Sequence, residues 1–227
     1  TVNPSLVIIN ACSKYRKKLF FTSTSEIYGK SIELPFKEDG NRYLGSTRTR
    51  RWCYSTAKAL VEHAIFAKLS NKKKNFIIYR LFNIYGYGLE GRVVDKFFER
   101  AIKNRDLEIF GTGREKRCFL YIDDCIEIFF KILTKNKFNN QILNIGNNKE
   151  ETILSLARKI IKISNSKSKI KIKSLYAKNK MKSQGFEDIP RRIPSLVMLK
   201  KTINHEPKIS LNSGLKLYLE NKLKNKI

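Results

Sequence analysis

Residues 18–25 read Lys18-Leu19-Phe20-Phe21-Thr22-Ser23-Thr24-Ser25, a β-prone apolar run that ends in small hydroxylated side chains. A run that is apolar on both faces is typical of a strand buried in a parallel sheet. A second such run covers residues 75–82, and a helical pattern covers residues 54–69 between the two. Strand, helix and strand in this order predict a right-handed parallel crossover. The chain is therefore expected to have an α/β fold built on a parallel sheet.

The end of the first predicted strand is the predicted ligand site. In open α/β sheets, ligands bind beyond the carboxyl ends of the strands. Thr24, Ser25 and Glu26 lie at that position. The polar residues 31–51 that follow are expected to form a loop over the site.

The predicted helix carries Tyr54 and Lys58, which are four residues apart and therefore share one helix face. A nearby ammonium group stabilises phenolate and lowers the pKa of a tyrosine from its usual value near ~10. Such a tyrosine can take a proton from a sugar hydroxyl, and the Thr24 hydroxyl can hold the same oxygen. The three side chains together indicate hydride transfer to and from a nicotinamide cofactor. The pair alone also fits a solvated helix face on which a lysine stem covers a ring.

The rest of the chain continues to alternate between helical and strand patterns. Further helices are predicted at residues 4–15, 94–103, 123–134, 152–163 and 211–223, with a short one after Pro194. Further strands are predicted at residues 107–110, 117–122, 142–145 and 170–173.

The composition suits one large or two small domains, with 227 residues of which 41% are apolar. No apolar run approaches the ~20 residues of a membrane helix, and no signal peptide is recognised. The four cysteines and two histidines show no zinc spacing, so no metal site is predicted. We expect isolated thiols and surface imidazoles in a reduced cytoplasm.

The net charge of +27 raises the hypothesis of a basic nucleic-acid-binding module. The lysines, however, are scattered among asparagine, isoleucine and serine, and no nucleic-acid motif accompanies them. The favoured interpretation is that these lysines lie on solvated faces of the protein. Their positive electrostatic potential would also attract an anionic substrate.

Five motifs in a fixed order resemble the extended short-chain dehydrogenase/reductase family of nucleotide-sugar epimerases, dehydratases and decarboxylases. They occupy residues 22–29, 54–58, 80–86, 117–124 and 188–194. The resemblance implies NAD as cofactor and, within residues 1–87, the C-terminal part of an NAD-binding domain with a partial, doubly wound Rossmann-type parallel sheet. It also implies a smaller α/β substrate-binding domain at residues 88–227, from which 142–146 is a candidate to rejoin the Rossmann sheet. The family's glycine-rich phosphate loop is not found, so the chain is expected to lack its N-terminal part, and a catalytically dead fragment is one hypothesis.

The resemblance also implies roles for individual residues. Tyr54 matches the base that deprotonates a sugar hydroxyl, and Lys58 matches the lysine that binds the nicotinamide ribose. Thr24 matches the hydroxyl that holds the reacting oxygen, and oxidation gives a transient keto-sugar. The substrate-side positions of the family match Asn83, Arg92, Arg117 and Arg192. A homodimer through the helix at residues 54–69 is implied as well.

Residues Thr24-Ser25-Glu26 separate the subclasses. The 4,6-dehydratases of the family carry Asp where this chain has Ser25, which disfavours dehydration. Thr-Ser-Glu is similar to UDP-glucuronate decarboxylases, in which the glutamate and an arginine at the Arg192 position meet the sugar carboxylate. Some UDP-sugar 4-epimerases share these features, and a purely structural role for Glu26 also stays open.

Overall fold

The computed structural model describes residues 2–71, 76–135, 140–173 and 189–224. Its principal sheet has three parallel strands in the order β1-β2-β7. The elements that build this part of the molecule are α1 (Val2–Lys14), β1 (Leu19–Thr24), α2 (Arg51–Leu69), β2 (Phe76–Leu81), α4 (Ile122–Lys135), β7 (Gln141–Ile145) and α6 (Val197–Ile203). The predicted α/β fold with parallel strands is confirmed.

Both faces of this sheet are buried, as the apolar strands require. Side chains that alternate along β2 go to opposite faces, so Phe76 and Ile78 pack under α1 and α2. Ile77 and Tyr79 pack under α4 and α6 on the other face. Because helices cover both faces, the carboxyl ends of the strands are the part of the sheet left for a site.

A buried ion pair fastens α2 to the sheet. Arg80 on β2 donates to both carboxylate oxygens of Glu62 on α2, at 3.2 and 2.7 Å. Arg80 also donates to the hydroxyl of Tyr28, which in turn donates to the Asn144 side chain at 2.7 Å. Burial raises the pKa of Tyr28 to about 12, so its hydroxyl stays a donor. The network joins α2, β2 and β7 behind the end of β1.

The remaining elements form a second core. Buried side chains from three further helices pack around Phe98, Leu156 and Tyr218. The elements are β3 (Ile84–Tyr85), α3 (Val93–Ile102), β4 (Leu107–Phe110), β5 (Lys116–Cys118), β6 (Leu120–Tyr121), β8 (Glu150–Thr152), α5 (Ile153–Ile163), β9 (Ile170–Lys173), β10 (Arg191–Arg192) and α7 (Leu211–Lys224). Thr152 caps α5 as predicted, since its hydroxyl accepts from the Ser155 N–H.

One predicted strand is wrong in its extent. Residues 117–122 do not form a single strand, because β5 and β6 are separated at Phe119 and Ile122 already begins α4. β5 pairs with β8 and β10, whereas β6 pairs with β3. Phe119 is buried against Tyr85, and the chain changes sheets at this residue. The helix expected from residue 54 begins at Arg51.

Part of two sequence features lies outside the described residues. These are residues 174–182, which continue the lysine- and serine-rich stretch of residues 164–182, and Asp188 of the fifth motif. Among the helices that the structure describes, none is long and apolar enough to cross a membrane.

Several turns use asparagine where a left-handed backbone is needed. Asn104 follows α3, Asn165 follows α5 and Asn204 caps α6, with φ angles of 51°, 47° and 48°. Asparagine tolerates this conformation because its short polar side chain bonds locally.

Candidate functional site

The predicted site residues Thr24, Ser25 and Glu26 lie where β1 ends and a short 3-10 helix (Ser25–Tyr28) begins. The Thr24 hydroxyl accepts from the Glu26 N–H at 3.2 Å and caps this helix, so its own O–H remains able to donate. Gly29 closes the turn with a φ of 60°, and a Cβ there would lie 2.1 Å from the Tyr43 carbonyl oxygen. Glycine is therefore required for the turn that follows Glu26.

Two arginines hold the Glu26 carboxylate. Nη2 of Arg51 donates to Glu26 Oε2 at 3.0 Å and to Glu26 Oε1 at 3.3 Å, and Nη1 of Arg192 donates to Glu26 Oε1. The three side chains are largely buried, with exposed fractions of 23% for Glu26, 12% for Arg51 and 10% for Arg192. The Ser55 hydroxyl donates to the Glu26 carbonyl oxygen at 2.8 Å and ties this turn to α2. The structure thus brings Glu26 and Arg192 together, while Arg51 is a site residue that the sequence analysis had not singled out.

Arg117 comes close to the same cluster through strand pairing. β10 runs parallel to β5, and Arg192 stands opposite Arg117 in the register. The pKa of Arg192 is lowered to about 10: burial is the main cause, the charges of Arg117 and Arg51 act in the same direction, and Glu26 opposes the shift. Since two guanidinium groups contact one carboxylate and a third stands opposite Arg192, the cluster favours an additional anion.

Tyr54 and Lys58 lie on α2, one turn apart. The Tyr54 side chain is 49% exposed. The Lys58 ammonium donates to the Thr22 carbonyl oxygen at 2.7 Å and sits 4.6 Å from the centre of the Phe21 ring. Burial lowers the pKa of Lys58, and the Glu62 carboxylate opposes this shift. Lys58 is therefore fixed at the end of β1, while Tyr54 is exposed one turn away on α2.

Asn83 follows β2 in a left-handed conformation, with a φ of 36°. Its side-chain amide donates to the Cys118 carbonyl oxygen at 3.1 Å, so Asn83 links the end of β2 to β5.

Arg92 is exposed at the start of α3, and a carboxylate one turn along the helix holds the adjoining loop. Asp95 is buried and accepts from the Gly91 N–H at 2.7 Å. It also accepts from the Tyr218 hydroxyl at 2.6 Å and pairs with Lys222, both on α7. The terminal helix thereby fixes the loop that presents Arg92.

The Asp95 carboxylate makes the free energy of unfolding depend on pH in the acid range. Burial acts to raise the pKa of Asp95, but the hydrogen bonds from Lys222, Tyr218 and Gly91 outweigh it and lower the pKa. The stabilisation is therefore present above the ordinary value of about 3.9 and is lost as the pH falls through the lower folded-state pKa. Asp95→Asn should lower the Tm at pH 7, and its difference from the unsubstituted protein should shrink below pH ~4. Thermal unfolding followed across pH 3–7 measures this difference. Glu220→Gln, at an exposed position on α7, is the control, and an unchanged difference would contradict the assignment.

A cluster that the sequence did not suggest lies at Asp124, Glu127 and His205, whose ligand atoms are within 4.8 Å of one another. His205 is buried rather than on the surface as expected. The Lys131 ammonium lies 2.9 Å from His205 Nδ1 and 2.8 Å from Glu127, and Lys208 also pairs with Glu127. Two ammonium groups therefore already supply the positive charge that a metal ion would bring.

Comparison with known proteins places these features in a family. The sequence model of the NAD dependent epimerase/dehydratase family matches residues 1–146. A UDP-N-acetyl-alpha-D-glucosaminuronate decarboxylase of Bacillus cytotoxicus is 36% identical over 213 residues, which cover 92% of this chain and 64% of that protein. The bifunctional polymyxin resistance protein ArnA of Wigglesworthia glossinidia brevipalpis is 35% identical over 231 residues, covering 93% of this chain and 35% of that protein. The chain thus spans less than two thirds of the length of either relative.

Solved structures give the same fold. A UDP-glucose 4-epimerase of Thermotoga maritima, crystallised with UDP-glucose, superposes with a TM-score of 0.81 at 28% identity and covers 98% of this chain and 69% of its own. A UDP-glucuronic acid 4-epimerase of Bacillus cereus superposes with a TM-score of 0.84 at 23% identity, covering 99% of this chain and 67% of its own.

Proposed function

Since the chain belongs to the NAD dependent epimerase/dehydratase family, we propose that it is an NAD-dependent enzyme that modifies a UDP-sugar through a transient keto-sugar. Bound NAD would supply the oxidant that takes a hydride from the sugar ring and returns it. Lys58, fixed at the carboxyl end of β1, and the accessible Tyr54 fit the nicotinamide end of such a cofactor. Tyr54 would accept the proton of the sugar hydroxyl, and Thr24 would donate to the same oxygen.

The substrate class that we propose is a UDP-linked uronic acid, and the reaction is decarboxylation. The observation that carries this proposal is the arginine cluster around Glu26, which suits a second carboxylate. A ketone β to that carboxylate accepts the electron pair of the breaking C–C bond, so carbon dioxide leaves and the ring carbon is then protonated. Asn83, Arg92 and Arg117 are proposed to bind the substrate, with Arg117 beside Arg192.

A 4-epimerase is the second candidate, because the Thermotoga maritima enzyme is 28% identical over almost the whole chain. A 4,6-dehydratase is less well supported, since Ser25 lacks the carboxylic acid expected for water elimination. The family match and the relatives also favour a nucleotide-sugar over a nucleic acid as the partner of this basic chain.

The test is to supply the native protein and NAD with UDP-glucuronate, UDP-N-acetylglucosaminuronate, UDP-glucose and UDP-galactose, and to follow products by mass spectrometry. Loss of carbon dioxide from a uronate supports the decarboxylase, and interconversion of UDP-glucose and UDP-galactose supports the epimerase. No turnover and no binding of any UDP-sugar would contradict both.

We further propose that two copies of the protein pair through α1 and α2. Val7 and Ile8 on α1 and Leu60 on α2 are exposed apolar side chains on these adjacent helices. Leu60→Asp should therefore convert a dimer to a monomer in sedimentation-velocity experiments, because it would bury a charge in the interface. Ile172→Asp, at an exposed position on β9, is the control. A native protein that sediments as a monomer would rule out the pairing.

We also propose a division of the chain into two domains, supported by the family match and by the pairing of β7 with β2. Residues 1–87 and β7 would belong to an NAD-binding domain, and the remainder of residues 88–227 would mainly bind substrate. A cytoplasmic location is also proposed, and it is supported by the four cysteines, which are free thiols.

A further inference from the structure

The cluster around Glu26 has more positive charge and more donors than one carboxylate can use. The Nε of Arg192 is buried and, among the described residues, has no hydrogen-bond partner. Arg117 adds a further guanidinium group next to Arg192. A buried, unsatisfied guanidinium donor is costly, so a second anion would be stabilised at Arg192.

The two arginines that hold Glu26 are not equivalent. Arg51 contacts both carboxylate oxygens through Nη2, whereas Arg192 contacts Oε1 alone. Arg51 begins α2, three residues before Tyr54 and therefore on the same side of the helix. If Arg192 turns to another anion, Arg51 can keep Glu26 in place.

Two carboxylates at a single arginine would compete and repel each other. Glu26 and the carboxylate of a uronic acid would be such a pair if Arg192 were their only cation. We infer that Arg51 is a positioning residue that retains Glu26 and so frees Arg192 for the substrate carboxylate. Arg51 then determines the preference for acidic over neutral UDP-sugars. This inference rests on the proposed function.

The test compares the affinities of UDP-glucuronate, UDP-glucose and UDP for the native protein and for Arg51→Met, by isothermal titration calorimetry. Arg51→Met should lower the affinity for UDP-glucuronate about tenfold or more, since Glu26 then competes for Arg192. The affinities for UDP-glucose and UDP should change less than about twofold. In the double variant Arg51→Met/Glu26→Gln the competing charge is gone, and most of the UDP-glucuronate affinity should return.

Matched variants separate this role from a loss of charge or of structure. Arg50→Met removes an exposed charge from the neighbouring position and should leave all three affinities unchanged. Arg51→Lys keeps the charge but lacks the planar guanidinium, so its affinity for UDP-glucuronate should lie between those of the native protein and Arg51→Met. Circular dichroism shows whether Arg51→Met folds. If it does not, the affinities of Arg51→Lys test the positioning role instead.

The outcomes distinguish this inference from the proposed function. Equal weakening of all three ligands by Arg51→Met, or no weakening, overturns the positioning role alone. A native protein that binds UDP-glucuronate no better than UDP-glucose, or binds neither, overturns the proposed uronate substrate and the inference together.

Discussion

Tyr54→Phe is expected to lower the turnover of UDP-glucuronate by the native protein about 10²–10⁴-fold, which is the usual contribution of a positioned acid or base. The variant lacks the hydroxyl that would take the proton of the sugar, while the arginine cluster that binds the substrate is untouched. UDP-glucuronate affinity should therefore remain within about twofold of the unsubstituted protein. Single-turnover kinetics with NAD and calorimetric binding together measure the two effects.

Tyr15→Phe is the control, because Tyr15 is a similarly exposed tyrosine that follows the end of α1. Turnover retained by Tyr54→Phe would remove Tyr54 from the proposed role. Loss of turnover together with loss of UDP-glucuronate binding would point instead to a disturbed site.

Glu62→Gln is expected to destabilise the protein by about 3–5 kcal/mol, which is typical when one partner of a buried ion pair is removed. The side chains of Arg80 and Glu62 are only 6% and 7% exposed, so Arg80 would keep a buried charge without the carboxylate that now pairs with it. The loss should appear as a lower midpoint in urea unfolding, measured at constant pH.

The exposed pair of Lys200 and Glu206 provides the control. Its side chains are 61% and 67% exposed, so Glu206→Gln should change the free energy of unfolding by less than about 1 kcal/mol. Glu62→Leu combined with Arg80→Met should recover much of the loss, since both charges of the buried pair are then removed. Equal effects of Glu62→Gln and Glu206→Gln would contradict the structural role of the buried pair.

Local patterns were sufficient to predict most helices and strands. The bounds of β4 and β9 match the prediction, and β1, β2 and α5 differ from it by one residue at most at either end. These elements carry their own signals, namely apolar runs, helical periodicity and a capping threonine. The strands β3, β6 and β10 have only two residues each, and so short a segment is defined by its partner rather than by its sequence.

The site was predictable only in part, because some of its contacts join residues that are distant in the sequence. Thr24, Glu26, Tyr54 and Lys58 stand in motifs that the sequence displays. The contacts of Glu26 with Arg51 and Arg192 join residues separated by 25 and 166 positions, and no local pattern reports such pairing. The family resemblance brought Glu26 and Arg192 to one carboxylate, but the contact of Glu26 with Arg51 is seen only in the folded structure.

The left-handed asparagines at the ends of α3, α5 and α6 bear on how a chain with few glycines ends its helices. Glycine is the residue with the lowest steric cost at such positions, and this chain has only 11 glycines in 227 residues. Asparagine can replace it there because its amide bonds to nearby backbone. The three helices can therefore end in left-handed turns that need no glycine, and this chain keeps such turns with few glycines.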